Sequence, residues 1–196
     1  MKLRSTIGGF VWMLIGMVLI AGCVGPITPV TPTPDPAGDW QRIQAAGKLM
    51  VGISVDYPPF SYYNDQFKIT GFDPALIEEI GAQLGLNVQI KDIPFDGLLG
   101  ALRTHQIDVA ISAISATPER DEFVDFSDVY YVGEDAILAS ANAAPVTIKS
   151  AADITQRMRV GVQKGSVYQT WVEETLVGPG LLPQRNLILY TDIGRA

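Results

Sequence analysis

The stretch KLMVGISVDYPPF, residues 48–60, decides the fold of this chain. Its first part, 48–55, is a short and nearly continuous apolar run, which is typical of a strand buried on both faces of a parallel sheet. Pro58 and Pro59 then end the strand, because proline has no N–H to donate to a neighbouring strand. The sequence therefore predicts a buried parallel strand whose carboxyl end leads into a loop.

Strands and helices alternate along the rest of the chain. Asp73 and Pro74 predict the start of a helix with Asp73 as its N-cap, and Gly85 predicts its end. Further predicted elements are a hairpin at 61–71, strands at 88–90, 108–111, 136–139, 159–162 and 187–190, and helices at 97–102, from Thr117-Pro118 onward and at 168–176. This alternation predicts an α/β fold with mainly parallel sheets, in which ligands bind at the carboxyl ends of the strands.

The composition narrows the possible functions. The chain has 14 Lys and Arg against 21 Asp and Glu, and a net charge of −7 disfavours nucleic acid as a partner. One Cys and one His exclude a disulfide framework and a Cys- or His-rich metal site. The sequence contains no Walker A loop, GxGxxG, HExxH or GxSxG motif. We therefore expect no metal, no cofactor and no nucleic-acid partner.

The N-terminus has the pattern of a secretion signal. Lys2 and Arg4 precede an apolar run at 7–21, which is shorter than the roughly 20 residues that a membrane-spanning helix needs. The run ends in IAGC at 20–23, which resembles a bacterial lipobox and implies cleavage before Cys23 and lipidation of its thiol. The alternative is a free or buried Cys23 behind an ordinary signal anchor.

Four segments in a fixed order carry a resemblance to a known family. They are VGISVDYPPFSYYND at 51–65, GFDPALIEEIGAQLGL at 71–86, PFDGLLGALRTHQIDVAISAISATPERDEFVDFSDVYY at 94–131, and RVGVQKGSVYQTWVEE at 159–174. In combination they resemble the extracellular solute-binding proteins for polar amino acids, the binding components of ABC importers. The resemblance implies a type II periplasmic-binding-protein-like fold, in which two α/β lobes joined by two hinge strands clamp one ligand.

The resemblance also implies an organisation and a set of partners. The expected domains are a signal peptide at 1–22, the lipidated Cys and a Pro/Thr-rich linker at 23–39, lobe one at 40–138, and the hinge crossing with an incomplete, truncated lobe two at 139–196. We expect a monomer outside the cytoplasm, in the periplasm or on the outer face of the cell membrane, held by its lipid anchor. Its partners would be a free amino acid and the permease of the ABC transporter.

Arg120 is the central candidate for ligand binding. A free amino acid carries a carboxylate, which a guanidinium and the N–H groups of a helix N-terminus can bind. The resemblance assigns the carboxylate to Arg120 and to the hydroxyl and N–H of Ser115. The alternative is that Arg120 pairs with Glu119, Asp121 or Asp125 on a solvated face.

Four further residues of lobe one are assigned to the site by the resemblance. The carbonyls of Ser112 and Ala113 would accept hydrogen bonds from the ligand ammonium group. Tyr57 and Phe95 would flank the ligand side chain as aromatic walls, whereas Phe60 in the same loop as Tyr57 is expected to pack in the protein. For Tyr57 and Phe95 the alternative is ordinary packing as well.

The resemblance assigns three residues of lobe two to the ligand. Ser166 and Val167 would offer hydroxyl and N–H groups to the carboxylate as the lobes close, and Gln163 would contact the ligand side chain. The alternative is a plain turn between a strand and a helix, with Gly165 supplying backbone freedom. Ser54 departs from relatives that carry Asp there for basic or amide ligands, which weakens the case for Arg, Lys or His as the ligand.

Three other functions remain open at this stage. The same fold resembles periplasmic cyclohexadienyl dehydratases, which would make the chain an enzyme; we expect no catalytic residue here, because the matched cleft positions contain no acid cluster. A sensor module is a second alternative. The third is a truncated fragment that does not bind, since half a lobe would leave sheet edges exposed.

Overall fold

The computed structural model describes residues 38–140, 148–154 and 156–195. The predicted signal peptide at 1–22, the lipidation site Cys23 and nearly all of the predicted linker at 23–39 therefore lie outside the described residues. Over the described ranges, no helix combines the length and the apolar character needed to cross a membrane.

Seven strands and five α-helices alternate along the described ranges. In chain order they are α1 Gly38–Ala46, β1 Lys48–Ile53, β2 Tyr62–Tyr63, β3 Ile69–Thr70, α2 Phe72–Leu84, β4 Asn87–Asp92, α3 Leu98–Arg103, β5 Val109–Ala110, α4 Pro118–Asp121, β6 Val160–Gln163, α5 Val167–Val172 and β7 Leu187–Tyr190. Short 3₁₀ turns precede α3 and β7, and others occur at Ala151–Asp153 and Ile193–Arg195. The predicted α/β architecture is confirmed.

β1 is the central strand of the first sheet. It lies between β4 and β5 and pairs in parallel with both, so that Val51 is level with Ile90 on one side and Val109 on the other. Val51 and Ile53 have no exposed surface, as expected for a strand that is covered on both faces. The carboxyl ends of the three strands meet at one edge of the sheet and carry the loops described below.

α2 follows the short antiparallel hairpin of β2 and β3. Its end at Gly85, in the left-handed conformation with φ 69°, agrees with the prediction. The prediction that Asp73 caps its N-terminus is wrong: the cap position is Gly71, and no side chain caps this end of the helix. Asp73 is instead fully buried, and its carboxylate accepts a hydrogen bond from the Ala113 N–H, 3.0 Å away, at the end of β5.

β6 and β7 form a second parallel pair with a hydrophobic core of its own. The buried residues of this core are Ile154, Val172, Leu176, Leu182 and Leu187. The helix predicted at 168–176 is observed as α5 followed by one wider turn at Glu173–Val177. The second pair thus repeats the strand–helix–strand order of the first sheet.

The segment between the two groups of strands does not form the predicted strand at 136–139. Residues 124–140 contain no strand, and Leu138 is 98% exposed. An apolar run becomes a strand only when another strand takes up its backbone hydrogen bonds, and no described strand lies beside this one.

Candidate functional site

Arg120 lies in α4, where loops of both strand groups meet. Thr117 caps this four-residue helix, since its hydroxyl accepts a hydrogen bond from the Arg120 N–H at 3.4 Å. The guanidinium donates from Nη1 to the Ser115 carbonyl at 2.6 Å and from Nη2 to the Gly165 carbonyl at 3.0 Å. Arg120 therefore joins the first sheet's loops to the turn after β6.

The alternative in which Arg120 pairs with a neighbouring acid is not observed. Within the described part of the chain, Arg120 makes no ion-pair contact with Glu119, Asp121 or Asp125. Burial lowers the pKa of the guanidinium from its ordinary value, while the nearby Glu119 charge opposes that shift. A half-buried cation whose hydrogen bonds among the described residues go to carbonyls is suited to an anionic ligand.

A small cavity adjoins the guanidinium. Its volume is about 60 Å³, and it is lined by Phe95, Asp96, Leu99, Ile114, Arg120 and Gly165. The Phe95 ring lies under the guanidinium, with 5.8 Å between the ring centroid and the Arg120 Cζ atom. Pockets for drug-sized ligands measure about 300–1,000 Å³, so this cavity is much smaller than a usual ligand pocket.

Asp56, in the loop after β1, is a cleft residue that the sequence analysis did not assign. Its Oδ1 accepts a hydrogen bond from the Ser54 hydroxyl at 2.8 Å. Its Oδ2 accepts from Gln163 Nε2 and from the Ile193 N–H, both at 3.0 Å. One carboxylate thus connects the loop after β1 to the end of β6 and to the 3₁₀ turn that follows β7. The sequence does contain a signal for this residue, because an acid directly after a buried apolar strand lies at the carboxyl end of the sheet, where ligands bind.

Two further contacts hold the strand groups together at this edge. Lys164 Nζ lies 2.7 Å from Asp96 Oδ2, which makes an ion pair across the cleft. Gly165 has φ 76°, and an added Cβ would lie 3.0 Å from the Asp96 Cβ. Glycine is therefore required at 165 both by the backbone conformation and by the close approach of Asp96.

Ser112 and Ala113 form a turn at the end of β5. The Ser112 hydroxyl accepts a hydrogen bond from the Ser54 N–H at 3.2 Å, and Ser112 is buried. Ala113 has φ 47°, a left-handed conformation that is uncommon for a residue with a Cβ. The turn predicted to bind the ammonium group is thus held in an unusual backbone conformation.

Tyr57 lies apart from the residues that line the cavity. It stacks on Phe60 at a centroid distance of 5.4 Å, and Phe60 meets the edge of Tyr131 at 4.8 Å. The packing role predicted for Phe60 is confirmed by these contacts. The structure therefore brings Phe95, Ser115 and Arg120 together, whereas Tyr57 belongs to a neighbouring aromatic group.

The turn after β6 is formed by Gln163 and Ser166. The Ser166 hydroxyl donates to the Gln163 carbonyl at 2.7 Å and accepts from the Gln169 N–H at 3.3 Å, which caps α5. Val167 is the first residue of α5. A ligand contact of Gln163, Ser166 and Val167 stays a prediction, as does the carboxylate contact of Ser115, whose carbonyl is occupied by Arg120.

Two groups of parallel strands whose loops meet at a half-buried arginine have the α/β arrangement of the type II periplasmic-binding-protein fold class. Residues 49–178 match the model of the bacterial extracellular solute-binding proteins, family 3. The chain belongs to this family.

Curated relatives and solved structures agree with this assignment. The L-cystine-binding protein TcyJ of Escherichia coli K12 is 33% identical over 138 residues, covering 70% of this chain and 51% of that protein. The arginine-binding extracellular protein ArtP of Bacillus subtilis is 37% identical over 122 residues, covering 62% of this chain and 46% of that protein. The chain therefore spans about half the length of these relatives.

Among solved structures, the ancestral amino acid-binding protein AncCDT-1, a precursor of cyclohexadienyl dehydratase, matches with a TM-score of 0.71 and 32% identity, over 79% of this chain and 66% of that one. The arginine-bound form of truncated ArgBP from T. maritima matches with a TM-score of 0.65 and 32% identity, over 79% and 69% of the two chains. The two-lobed fold class expected from the sequence is confirmed, and the described residues cover part of it.

Proposed function

We propose that the protein is the extracytoplasmic amino-acid-binding component of an ABC importer. It captures a free polar amino acid between its two lobes and delivers it to a membrane permease. The observation that carries this proposal is the Arg120 guanidinium, which is half-buried at the cavity and, among the described residues, donates hydrogen bonds to the carbonyls of Ser115 and Gly165 and to no carboxylate. A ligand carboxylate supplies the negative charge that these carbonyls lack, so it can displace them.

The ligand is an α-amino acid rather than another carboxylate. The names of relatives support this class, since they include proteins that bind L-cystine, arginine and histidine. Phe95 offers a ring beside the cavity for the ligand's apolar stem. Several relatives carry an aspartate at the position of Ser54. In this chain the acid near that position is Asp56, whose carboxylate accepts a hydrogen bond from the Ser54 hydroxyl.

A ligand screen tests the proposal. The twenty amino acids and L-cystine are each added to the full chain, and the melting temperature is measured. At a concentration 100 times Kd, a specific ligand should raise Tm by about 5–10 °C. A screen in which no amino acid raises Tm contradicts the proposed function of this chain.

Arg120→Ala gives the sharpest variant. Each hydrogen bond to a charged group contributes about 1.5–3 kcal/mol, so loss of both guanidinium donors should weaken binding at least about 100-fold, as measured by calorimetry. Arg103→Ala is the matched control, because Arg103 also lies beside an aromatic ring, Phe123, at 4.8 Å, but away from the cavity. If Arg120→Ala and Arg103→Ala bind the amino acid with equal affinity, Arg120 is not a ligand-binding residue.

The lipid anchor, the permease partner and the monomeric state are further parts of the proposal. Cys23 within IAGC supports the anchor, and several acyl chains on one residue would hold the protein at a membrane. Cys23→Ser should move the protein from the membrane fraction to the soluble fraction after cell lysis. The same distribution in both proteins would contradict lipidation.

An enzyme of the cyclohexadienyl dehydratase kind is the alternative, and the match to AncCDT-1 favours it as the second candidate. That structure is itself described as an amino acid-binding protein, and the curated relatives above are named as binding proteins. Incubation with prephenate should therefore yield no phenylpyruvate, which is detected by its absorbance. Steady product formation would replace the binding proposal by the enzymatic one.

A further inference from the structure

Asp73 is a buried acid that does not cap α2, although the sequence predicts such a cap, and that the proposed function does not use. It lies in the first turn of α2 and has no exposed surface. Its Oδ2 accepts a hydrogen bond from the Ala113 N–H at 3.0 Å, and its Oδ1 has no hydrogen-bond partner among the described residues. A buried carboxylate with one oxygen that has no hydrogen-bond partner lowers the stability of the folded protein, so we expect Asp73 to have a functional role.

Tyr130 completes a triangle with Asp73 and Ala113. The Ala113 N–H is shared between Asp73 Oδ2 and the Tyr130 hydroxyl oxygen, each at 3.0 Å, and the Tyr130 hydroxyl is also hydrogen-bonded to the Asp73 carboxylate. This Asp73–Tyr130–Ala113 triangle links α2, the turn after β5 and the segment that leads to the second strand pair. Burial and the Asp73 charge raise the pKa of Tyr130, so the hydroxyl keeps its proton.

The triangle acts on a residue in a strained conformation. Ala113 has φ 47°, a left-handed conformation that is unfavourable for a residue with a Cβ unless its surroundings hold it there. The preceding residue is fixed as well, because the Ser112 hydroxyl accepts from the Ser54 N–H. The turn is thus clamped from β1 on one side and from Asp73 on the other.

We propose that Asp73 is a positioning residue of the amino-acid site: its carboxylate holds the Ala113 amide and thereby fixes the direction of the Ser112 and Ala113 carbonyls that receive the ligand ammonium group. This inference rests on the proposed function for the identity of the ligand. The hold on Ala113 itself can be measured without any ligand.

The protonation state of Asp73 offers a direct readout. Burial raises the pKa of Asp73 to about 6, while the hydrogen bonds from Tyr130 and from the Ala113 N–H act in the opposite direction. Among the described residues, Tyr130 is the titratable side chain that faces Asp73, and no charged side chain contributes to its shift. The carboxylate is therefore ionised at pH 8 and mostly protonated at pH 5.

The first arm of the test is an NMR titration of the full chain labelled with ¹⁵N-alanine, in the absence of ligand. The amide proton of Ala113 should shift between pH 5 and pH 8 with a midpoint near 6. Asp73→Asn should abolish this titration, whereas Glu78→Gln, an exposed acid of the same helix, should preserve it. An Ala113 amide that titrates identically in wild type and Asp73→Asn overturns the proposal.

Tyr130→Phe provides a second variant in case Asp73→Asn does not fold. The Tyr130 hydroxyl lowers the pKa of Asp73, so its removal should move the midpoint of the Ala113 titration to higher pH. A midpoint that does not move in Tyr130→Phe contradicts the triangle.

The second arm measures affinity for L-arginine, L-histidine and L-cystine by calorimetry at pH 5 and pH 8. For any of the three that binds, wild-type affinity should be about tenfold lower at pH 5, because about one tenth of Asp73 is then ionised. Asp73→Asn should bind several-fold more weakly than wild type at pH 8 and lose most of the pH dependence. Asp73→Asn with wild-type affinity and pH profile overturns the positioning role.

The two arms separate this inference from the proposed function. If none of the three amino acids binds wild type while the Ala113 amide follows Asp73, the choice of ligand fails and the hold on Ala113 stands. If an amino acid binds but the Ala113 amide ignores Asp73, the proposed function stands and the role of Asp73 fails.

Discussion

Gly71 joins the β2–β3 hairpin to α2 at a point where no side chain fits. Its φ is 130°, and an added Cβ would lie 2.3 Å from the Phe60 carbonyl oxygen. Gly71→Ala should therefore lower the free energy of unfolding by at least about 2 kcal/mol, as measured by urea denaturation.

Gly100 provides the opposite case in α3. An added Cβ there meets no atom within 4 Å, and the residue is helical. Gly100→Ala should leave stability unchanged or raise it by up to about 1 kcal/mol, because alanine has the higher helix propensity. Equal losses in both variants would show that backbone crowding at Gly71 is not the cause.

Asp73 should give the protein an unusual dependence of stability on pH. Its pKa is about 6 in the folded state against 3.8 ordinarily, so the folded protein holds its proton more tightly than the unfolded chain. Asp73 ionisation therefore lowers the free energy of unfolding as pH rises from about 4 to about 6, by about 3 kcal/mol in all.

Denaturation of wild type and Asp73→Asn at pH 4, 5, 6 and 7 checks this sign. The difference in stability, wild type minus variant, should become more negative as pH rises to about 6 and stay constant above it. A difference that is independent of pH would mean that Asp73 titrates alike in both states.

At the scale of single residues, the position of Arg120 could be predicted, because Thr117 and Pro118 are local signals for the start of a helix, and Arg120 lies in that helix. Its contact with a ligand carboxylate stays a prediction. The sequence predicts a helix cap at Asp73, since its position beside Pro74 fits one, but its burial and its hydrogen bond with Ala113 depend on β5, which is distant along the chain. Asp56 was missed because its partners Gln163 and Ile193 are far away along the chain.

At the scale of elements, α4 is the one on which the site depends most. It has four residues, too few for a helix to be stable without support, and Thr117 caps it. Thr117→Ala should lower stability by about 1 kcal/mol and weaken amino-acid binding, because Arg120 would lose its fixed position.

Thr117→Ser is the matched control for α4, since it keeps the hydroxyl that accepts from the Arg120 N–H. Calorimetry and urea denaturation should place it close to wild type. If alanine and serine weaken binding equally, the cap does not position Arg120.

Elements with strong local signals could be predicted, and elements that depend on distant partners could not. The apolar run of β1 and the Gly85 stop of α2 are local signals, and both were predicted. α1 was not predicted, because only Ile43 is buried and its position depends on an ion pair between Arg42 and Asp108, 2.7 Å apart. The run at 136–139 has strand composition but no described partner strand.

At the scale of the whole molecule, Asp56 connects the two groups of parallel strands. Asp56→Ala removes the acceptor for Gln163 Nε2 and the Ile193 N–H, so the cleft should open. Small-angle scattering should give a larger radius of gyration for the ligand-free variant, and affinity for the amino acid should fall several-fold.

Asp65→Ala is the control for Asp56, because Asp65 is an exposed acid in the turn between β2 and β3. It should keep the wild-type radius of gyration. An Asp56→Ala variant that is as compact as wild type would mean that the remaining contacts, such as the Lys164–Asp96 ion pair, suffice to hold the groups together.

The hydrogen bond between Arg120 and the Gly165 carbonyl has a consequence for how fast a solute can enter. A ligand carboxylate that reaches Arg120 meets a guanidinium whose Nη2 is already hydrogen-bonded to Gly165, so it can bind there only after thermal motion moves the turn after β6 away. Binding should then be limited by a conformational step. In stopped-flow mixing, the observed binding rate should rise with solute concentration and level off at the rate constant with which the turn moves away from Arg120. Long-range attraction between opposite charges would increase the rate at which the solute encounters the protein, but it would not change this limiting rate.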